Sequence, residues 1–393
     1  MRQIAAAVVA ILSVALVTGG EKNQLVPQLR VEGRQFVDEA GARYIPRWVS
    51  GLTLLSRTPA QQTAFLDWAA RTGFNGVRVF AGALMWAPQT PAHARAELPA
   101  LLDRAAARGL VVEVTALTDT ASGYDARAHL QDIADILAGR RGVVLELANE
   151  VGNSTQAKEL TPDRLRSWGE DIATPRRLVW AVGAAESDVP SSNTYPTRGG
   201  TYITAHLDRG GEMWPQVSGV RSLFEIVVAQ GVPVINNEPI GADERPGSET
   251  GRQRWSEPAA FFALGVLDRA FQLGGVHHSQ AGLMAELPGP VQQRCADAYV
   301  AGHRAIETVF GRASTTFHDT GQPASAYSFT AGDRGVVVLI GVKGDPALRL
   351  GGGWRRVRVV ASKRAADGTR IDVVELMKVE RSAAWVSRPR PRA

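Results

Sequence analysis

The chain has 393 residues, of which 45% are hydrophobic and 21% charged, enough to bury a large core plus a smaller one and too apolar for a disordered protein. Its formal net charge of +5 comes from scattered basic residues, mostly Arg, with no run beyond Arg355-Arg356 and the tail, so no nucleic-acid partner is expected. Cys295 is the single cysteine, which excludes an internal disulfide and any multi-cysteine metal site.

The segment 1–20 reads as a secretory signal peptide: Arg2 supplies the positive start, an apolar or small run spans Ile4 to Val17, and Thr18, Gly19 and Gly20 follow. No Ala-x-Ala triplet precedes Glu21, so an uncleaved anchor competes, but the run is short for a membrane span. A secreted or periplasmic protein with no stable membrane span after cleavage is therefore expected.

Next, "LRVEGRQFVDEAGARYI" (29–45) predicts a hairpin turning at Glu39 to Gly41. Helical and strand patterns then alternate. The expected strands are "IPRWVSGL", "NGVRVF" (75–80), "LVVEVTAL" (110–117), "GVVLELA" (142–148), "RLVWAVG" (177–183), "TYITAHL" (201–207), "VPVINN" (232–237) and "GGVHHS" (274–279). Helical patterns fall at 60–73, before "LVVEVTAL", before "GVVLELA", and at about 216–230, 258–273 and 290–309. The strands are continuous apolar runs, as strands covered on both faces are. Eight such units over 28–310 predict a closed (β/α)8 TIM barrel. An open doubly wound sheet is the rival, and it lacks the Gly-rich phosphate loop after the first strand. Residues 311–393 predict a small antiparallel β-rich domain, either a structural appendage or a carbohydrate-binding module.

In such barrels the working groups sit at the C-terminal ends of the strands. The fourth strand ends in Asn149 and Glu150, the seventh in Asn236, Asn237 and Glu238. Either glutamate alone could be a surface or helix-terminal charge. Two Asn-Glu pairs ending two buried strands point instead to paired carboxylate chemistry. Here the chain resembles the glycoside hydrolases of clan A, the cellulase-like retaining barrels. In them an acid/base Glu follows Asn at the end of strand four and a nucleophile Glu ends strand seven, the positions of "ANE" (148–150) and "NNE" (236–238).

The resemblance implies that Glu150 is the acid/base, Glu238 the nucleophile, Asn149 a ligand of the sugar 2-hydroxyl, and Arg78 the cation that keeps the nucleophile ionised. Arg78 is equally compatible with a structural ion pair. His206 matches the clan's strand-six His, but Asp208 stands where the clan has Tyr, so Tyr202 or Tyr195 would have to steady the nucleophile. Strand eight lacks the clan's terminal Trp and offers His277, His278 and Ser279 to sugar hydroxyls. The adjacent histidines point to opposite faces and cannot share one metal ion. Trp86, Trp214 and Trp255, in loops after strands two, six and seven, are candidates for stacking on sugar.

The expected activity is hydrolysis of β-glycosidic bonds in an oligo- or polysaccharide, with no cofactor and no metal. Retention requires the two carboxyl groups about 5–5.5 Å apart, and inversion about 6.5–9.5 Å; the shorter spacing is expected. A carbohydrate-binding protein that has lost turnover is the alternative. A lyase or metal-dependent hydrolase would need metal ligands at the strand ends.

Overall fold

A computed structural model describes residues 26–184, 200–206, 213–239, 241–242, 256–319, 326–341 and 353–379. The signal-like segment, Tyr195, Asp208 and Trp255 lie outside them.

The chain begins with a three-stranded antiparallel sheet of β1 (Arg30–Glu32), β2 (Gln35–Val37) and β3 (Arg43–Tyr44). The expected single hairpin gains an earlier turn at Gly33-Arg34, where Gly33 takes φ +57°. A two-residue loop of this kind favours a left-handed residue.

The barrel strands are β4 (Arg47–Ser50), β5 (Gly76–Phe80), β6 (Val111–Leu117), β7 (Val143–Ala148), β8 (Trp180–Ala181), β9 (Ile203–His206), β10 (Val234–Glu238) and β12 (Gly274–Ser279). The short β11 (Gly241–Ala242) pairs with β12. The parallel order is β8-β7-β6-β5-β4-β12-β10-β9, and the barrel is nearly closed. Across the remaining seam, the Thr201 N–H donates to the Trp180 carbonyl at 2.7 Å, and Ala181 bridges Gly200. Every residue of β5, β6, β7 and β10 is buried, which explains their predominantly apolar sequences, broken only by the polar residues that face the barrel interior and mouth.

Helices α1 (Pro59–Thr72), α2 (Pro91–Ala106), α3 (Ala126–Leu137), α4 (Pro162–Trp168), α5 (Met213–Ser218), α6 (Val220–Gln230), α7 (Pro258–Phe271), α8 (Gln280–Met284) and α9 (Pro290–Phe310) surround the strands. Local chemistry sets their ends. Thr58 and Gln61 form a capping box around Pro59 at the start of α1, and Gly73 closes it at φ +105°. The helix expected at 216–230 is broken into α5 and α6.

Strand alternation layers the barrel interior. Trp48, Val111, Val144, Tyr202, Ile235 and Val276 form the floor, plugged from below by Val26, Leu29 and Phe36. Gly76 makes room for this floor: a Cβ there would stand 2.4 Å from the Trp48 ring and 2.6 Å from the Val111 carbonyl. Polar side chains begin two residues further along the strands.

The C-terminal sheet is antiparallel, in the order β13-β14-β15-β17-β16. Its strands are β13 (Thr316–His318), β14 (Ala326–Ala331), β15 (Arg334–Ile340), β16 (Trp354–Arg364) and β17 (Arg370–Lys378). One face, carrying Tyr327, Phe329, Val336, Val338, Ile371 and Val373, joins the same core as the barrel helices. No described helix is long and apolar enough to cross a membrane.

Candidate active site

Arg78 on β5 points into the barrel one layer above the floor and is fully buried. Its Nη1 donates to Glu238 at 2.6 Å, its Nη2 to Glu146 and to Asn149 Oδ1 at 2.8 Å each, and its Nε lies 3.6 Å from Glu113. One guanidinium thus joins carboxylates from three strands, β6, β7 and β10. Glu146 also accepts from Thr115 Oγ1 at 2.6 Å and from Asn237 Nδ2 at 2.9 Å. Burial opposes the charge on Arg78, but Glu146, Glu238 and Glu113 outweigh it and hold the group cationic.

Glu113 behaves differently. Burial first, and then the Glu146 charge, push its carboxyl up to about 8 against the opposing pull of Arg78, so it is protonated at neutral pH. Tyr202 donates to Glu113 at 2.9 Å. This corrects the expectation that Tyr202 steadies the nucleophile, because its hydroxyl belongs to the deeper layer.

The two strand-end glutamates meet above Arg78. Asn149 holds the guanidinium, and Glu150 takes a left-handed backbone, φ +43°, that turns its side chain over the barrel mouth. Such a conformation is costly in a non-glycine residue and is held here by the surrounding structure. Asn153 Nδ2 donates to Glu150 at 2.9 Å. At the end of β10 the pairing with β9 shifts register between Asn236 and Glu238. This irregularity lets Asn237 reach Glu146 while Glu238 meets Arg78, although consecutive strand residues ordinarily face apart.

His206, at the end of β9, lies between the two carboxylates and is fully buried. Its Nδ1 is 3.7 Å from Glu150 and its Nε2 3.7 Å from Glu238. Burial lowers the imidazole pKa, but Glu238 and Glu150 together shift it above its ordinary value. Donor atoms of Glu150, His206 and Glu238 all fall within 4.8 Å of one another. The histidine presents a different nitrogen to each carboxylate, at distances set by charge attraction rather than by direct hydrogen bonds.

The other sequence candidates divide. Trp86 stands 42% exposed in the loop after β5. Its neighbour Met85 donates its N–H to Asp119 at 2.6 Å, which ties that loop to the end of β6. Trp214 is half-buried and its indole N–H donates to Asp367 of the C-terminal sheet at 2.8 Å, so this ring edge holds the two layers together. His277 faces outward, with its ring 5.0 Å from Phe261 and 5.8 Å from Phe74. Burial draws its pKa down to about 3, making it a neutral part of the helical shell rather than a group at the mouth. The inward-facing member of the pair is His278. Glu113, Glu146, Thr115 and Asn153 are site residues that the sequence reading does not single out, whereas Asn237 stands in the strand-seven motif. Two of them were visible as lone carboxylates inside "VVEV" and "VLEL", at the spacing of Arg78 within "VRV".

The fold is that of the cellulase-like clan A glycoside hydrolases. A family 5 glycoside hydrolase from Bacteroides vulgatus superposes with a TM-score of 0.62 at 10% identity, over 89% of this chain and 94% of its own. A second glycoside hydrolase structure from that organism gives 0.61 at 14%, over 91% and 83%. A β-glucanase from Saccharophagus degradans, solved with cellotetraose, gives 0.54 at 15%, over 71% and 94%. Neither the protein-family models nor the curated protein sequences give a match.

Proposed function

We propose that the protein is a retaining glycoside hydrolase acting on β-linked oligo- or polysaccharide. The observation that carries this reading is the approach of the Glu150 and Glu238 carboxylates to within 4.8 Å from the fourth and seventh strands of one barrel. That spacing matches double displacement, since inversion needs room for a water between the groups. Arg78 supports this division of roles: its guanidinium bonds Glu238, favouring a charged nucleophile, while Glu150 is held by the neutral Asn153 amide.

Glu238 attacks the anomeric carbon as Glu150 protonates the leaving oxygen. Glu150 then deprotonates the water that releases the sugar. Asn149, oriented by Arg78, faces the position of the 2-hydroxyl, and Trp86 offers an exposed ring for an outer sugar. The β-glucanase bound to cellotetraose supports a β-glucan-like ligand class. The segment 1–20 supports export, which intact mass of the protein recovered outside the cytoplasm would check.

The test is activity on polysaccharides and aryl β-glycosides. Glu238→Gln is expected to lower kcat by several orders of magnitude, and azide is expected to restore turnover to Glu238→Ala through a glycosyl azide. Parental rates in Glu150→Ala and Glu238→Ala would remove the assignment. Substrate binding without turnover in the parent would favour a lapsed binding protein.

A further inference from the structure

The opposite end of the barrel holds a charged cluster that the proposed chemistry does not use. A cavity of ≈ 1030 Å³ at the N-terminal ends of the strands is lined by Arg43, Arg47, Arg269, Arg312 and Glu307, among others. Arg269, near the end of α7, is 2% exposed. Its Nη2 donates to the Gly311 carbonyl and its Nε lies 4.0 Å from Glu307, but its buried Nη1 has no hydrogen-bond partner. Glu307 is shared, because it already accepts from Arg47 Nη1 at 3.1 Å. Arg43 bonds only neutral oxygens among the described residues, those of Gln35, Gln272, Ser314 and Ala313.

Arg47 and Arg269 therefore share one carboxylate, while Arg43 has no ion-pair partner among the described residues. The cavity's other acids are engaged elsewhere: Glu39 by Arg141, and Asp38 by the N–H groups of Ala40 and Ala42. Burial, with Arg43 and Arg47 adding to it and Glu307 opposing, draws Arg269 down to about 10. A buried cation with an open donor is costly unless something meets it.

We propose that this cavity binds a small tetrahedral oxyanion, phosphate or sulfate, among Arg269, Arg43, Arg47 and Arg312, which all line it. Arginine forks suit such oxygens bidentately. The anion would join β3, β4, α7 and the connector to the C-terminal sheet. It would act far from Glu150 and Glu238, and so on stability rather than on catalysis.

The experiment measures the melting temperature of the full chain during phosphate and sulfate titrations, with chloride holding ionic strength constant, and isothermal calorimetry with phosphate. A saturable rise of a few degrees is expected, with no competitive inhibition of any glycosidase activity. Arg269→Gln should abolish the rise, and the exposed Arg312→Ala should weaken phosphate binding several-fold while folding normally. Arg127→Ala, on a distant helix, should leave the rise intact. A response no larger than that to chloride would overturn the site and leave water on Arg269. A response unchanged in Arg312→Ala and in whichever Arg269 variant folds would overturn it as well.

Discussion

Arg78 illustrates how one residue can satisfy two readings at once. The sequence offered either a cation beside a nucleophile or a structural ion pair, and the side chain is both, since it bonds Glu238 and Glu146 together. Removing it would leave two buried carboxylates without their counter-ion, a loss of about 3–5 kcal/mol. Arg78→Met is therefore expected to lower the urea midpoint and abolish activity together; wild-type stability in that variant would refute the shared role. Glu113 was legible only as a charge within an apolar strand, because protonation depends on neighbours that the fold supplies. Its folded carboxyl keeps a proton up to about pH 8, whereas the ordinary glutamate value is 4.5. Between those values the folded state holds the extra proton, so stability falls as pH rises, by up to about 1.4 kcal/mol per pH unit. Glu113→Gln removes this slope. From pH 5 to pH 8 the parent should lose stability relative to the variant in urea titrations, and parallel curves would contradict the protonated assignment.

At the scale of elements, strands buried on both faces announced themselves as apolar runs, and that is why all eight could be counted. Less was legible where one element's shape depends on another. Helix α4 continues into a wider π turn over Gly169–Ala173, and Gly169 lies where a Cβ would meet the Trp180 ring at 2.3 Å. The start of that helix was marked by Thr161 and Pro162, an N-cap pair, which the strand count passed over. The pairing irregularity that turns Glu238 inward leaves no mark in "VPVINNE". Gly76 supplies an element-level test. Gly76→Ala drives a methyl into Trp48 and should cost about 1–3 kcal/mol, without touching the carboxylates. If the Trp48 ring is the obstacle, part of that cost should disappear in a Trp48→Leu background, as a double-mutant cycle in urea would reveal. Strict additivity would shift the clash to the Val111 carbonyl alone.

Over the whole molecule, the boundary expected near residue 311 separates two kinds of secondary structure without separating two cores. Phe271 of α7 lies 4.9 Å from both Phe317 and Phe329 of the C-terminal sheet and 5.0 Å from Phe224 of α6. The turn at 365–368 is tied to the barrel by Trp214 donating to Asp367 and by the Ala366 N–H donating to Glu257. Glu257 also caps the start of α7. A continuous apolar junction fastened at its rim should make the sheet and barrel unfold as one unit, despite the contrast in their architecture. Phe329→Ala, in the sheet, removes a ring that packs on a barrel helix, and such truncations cost about 3–5 kcal/mol. The expectation is one calorimetric transition in the parent and one, at lower temperature, in Phe329→Ala. Two transitions, with only the smaller displaced by the substitution, would mean that the sheet is an independently folding appendage and that the barrel helices keep their stability without it.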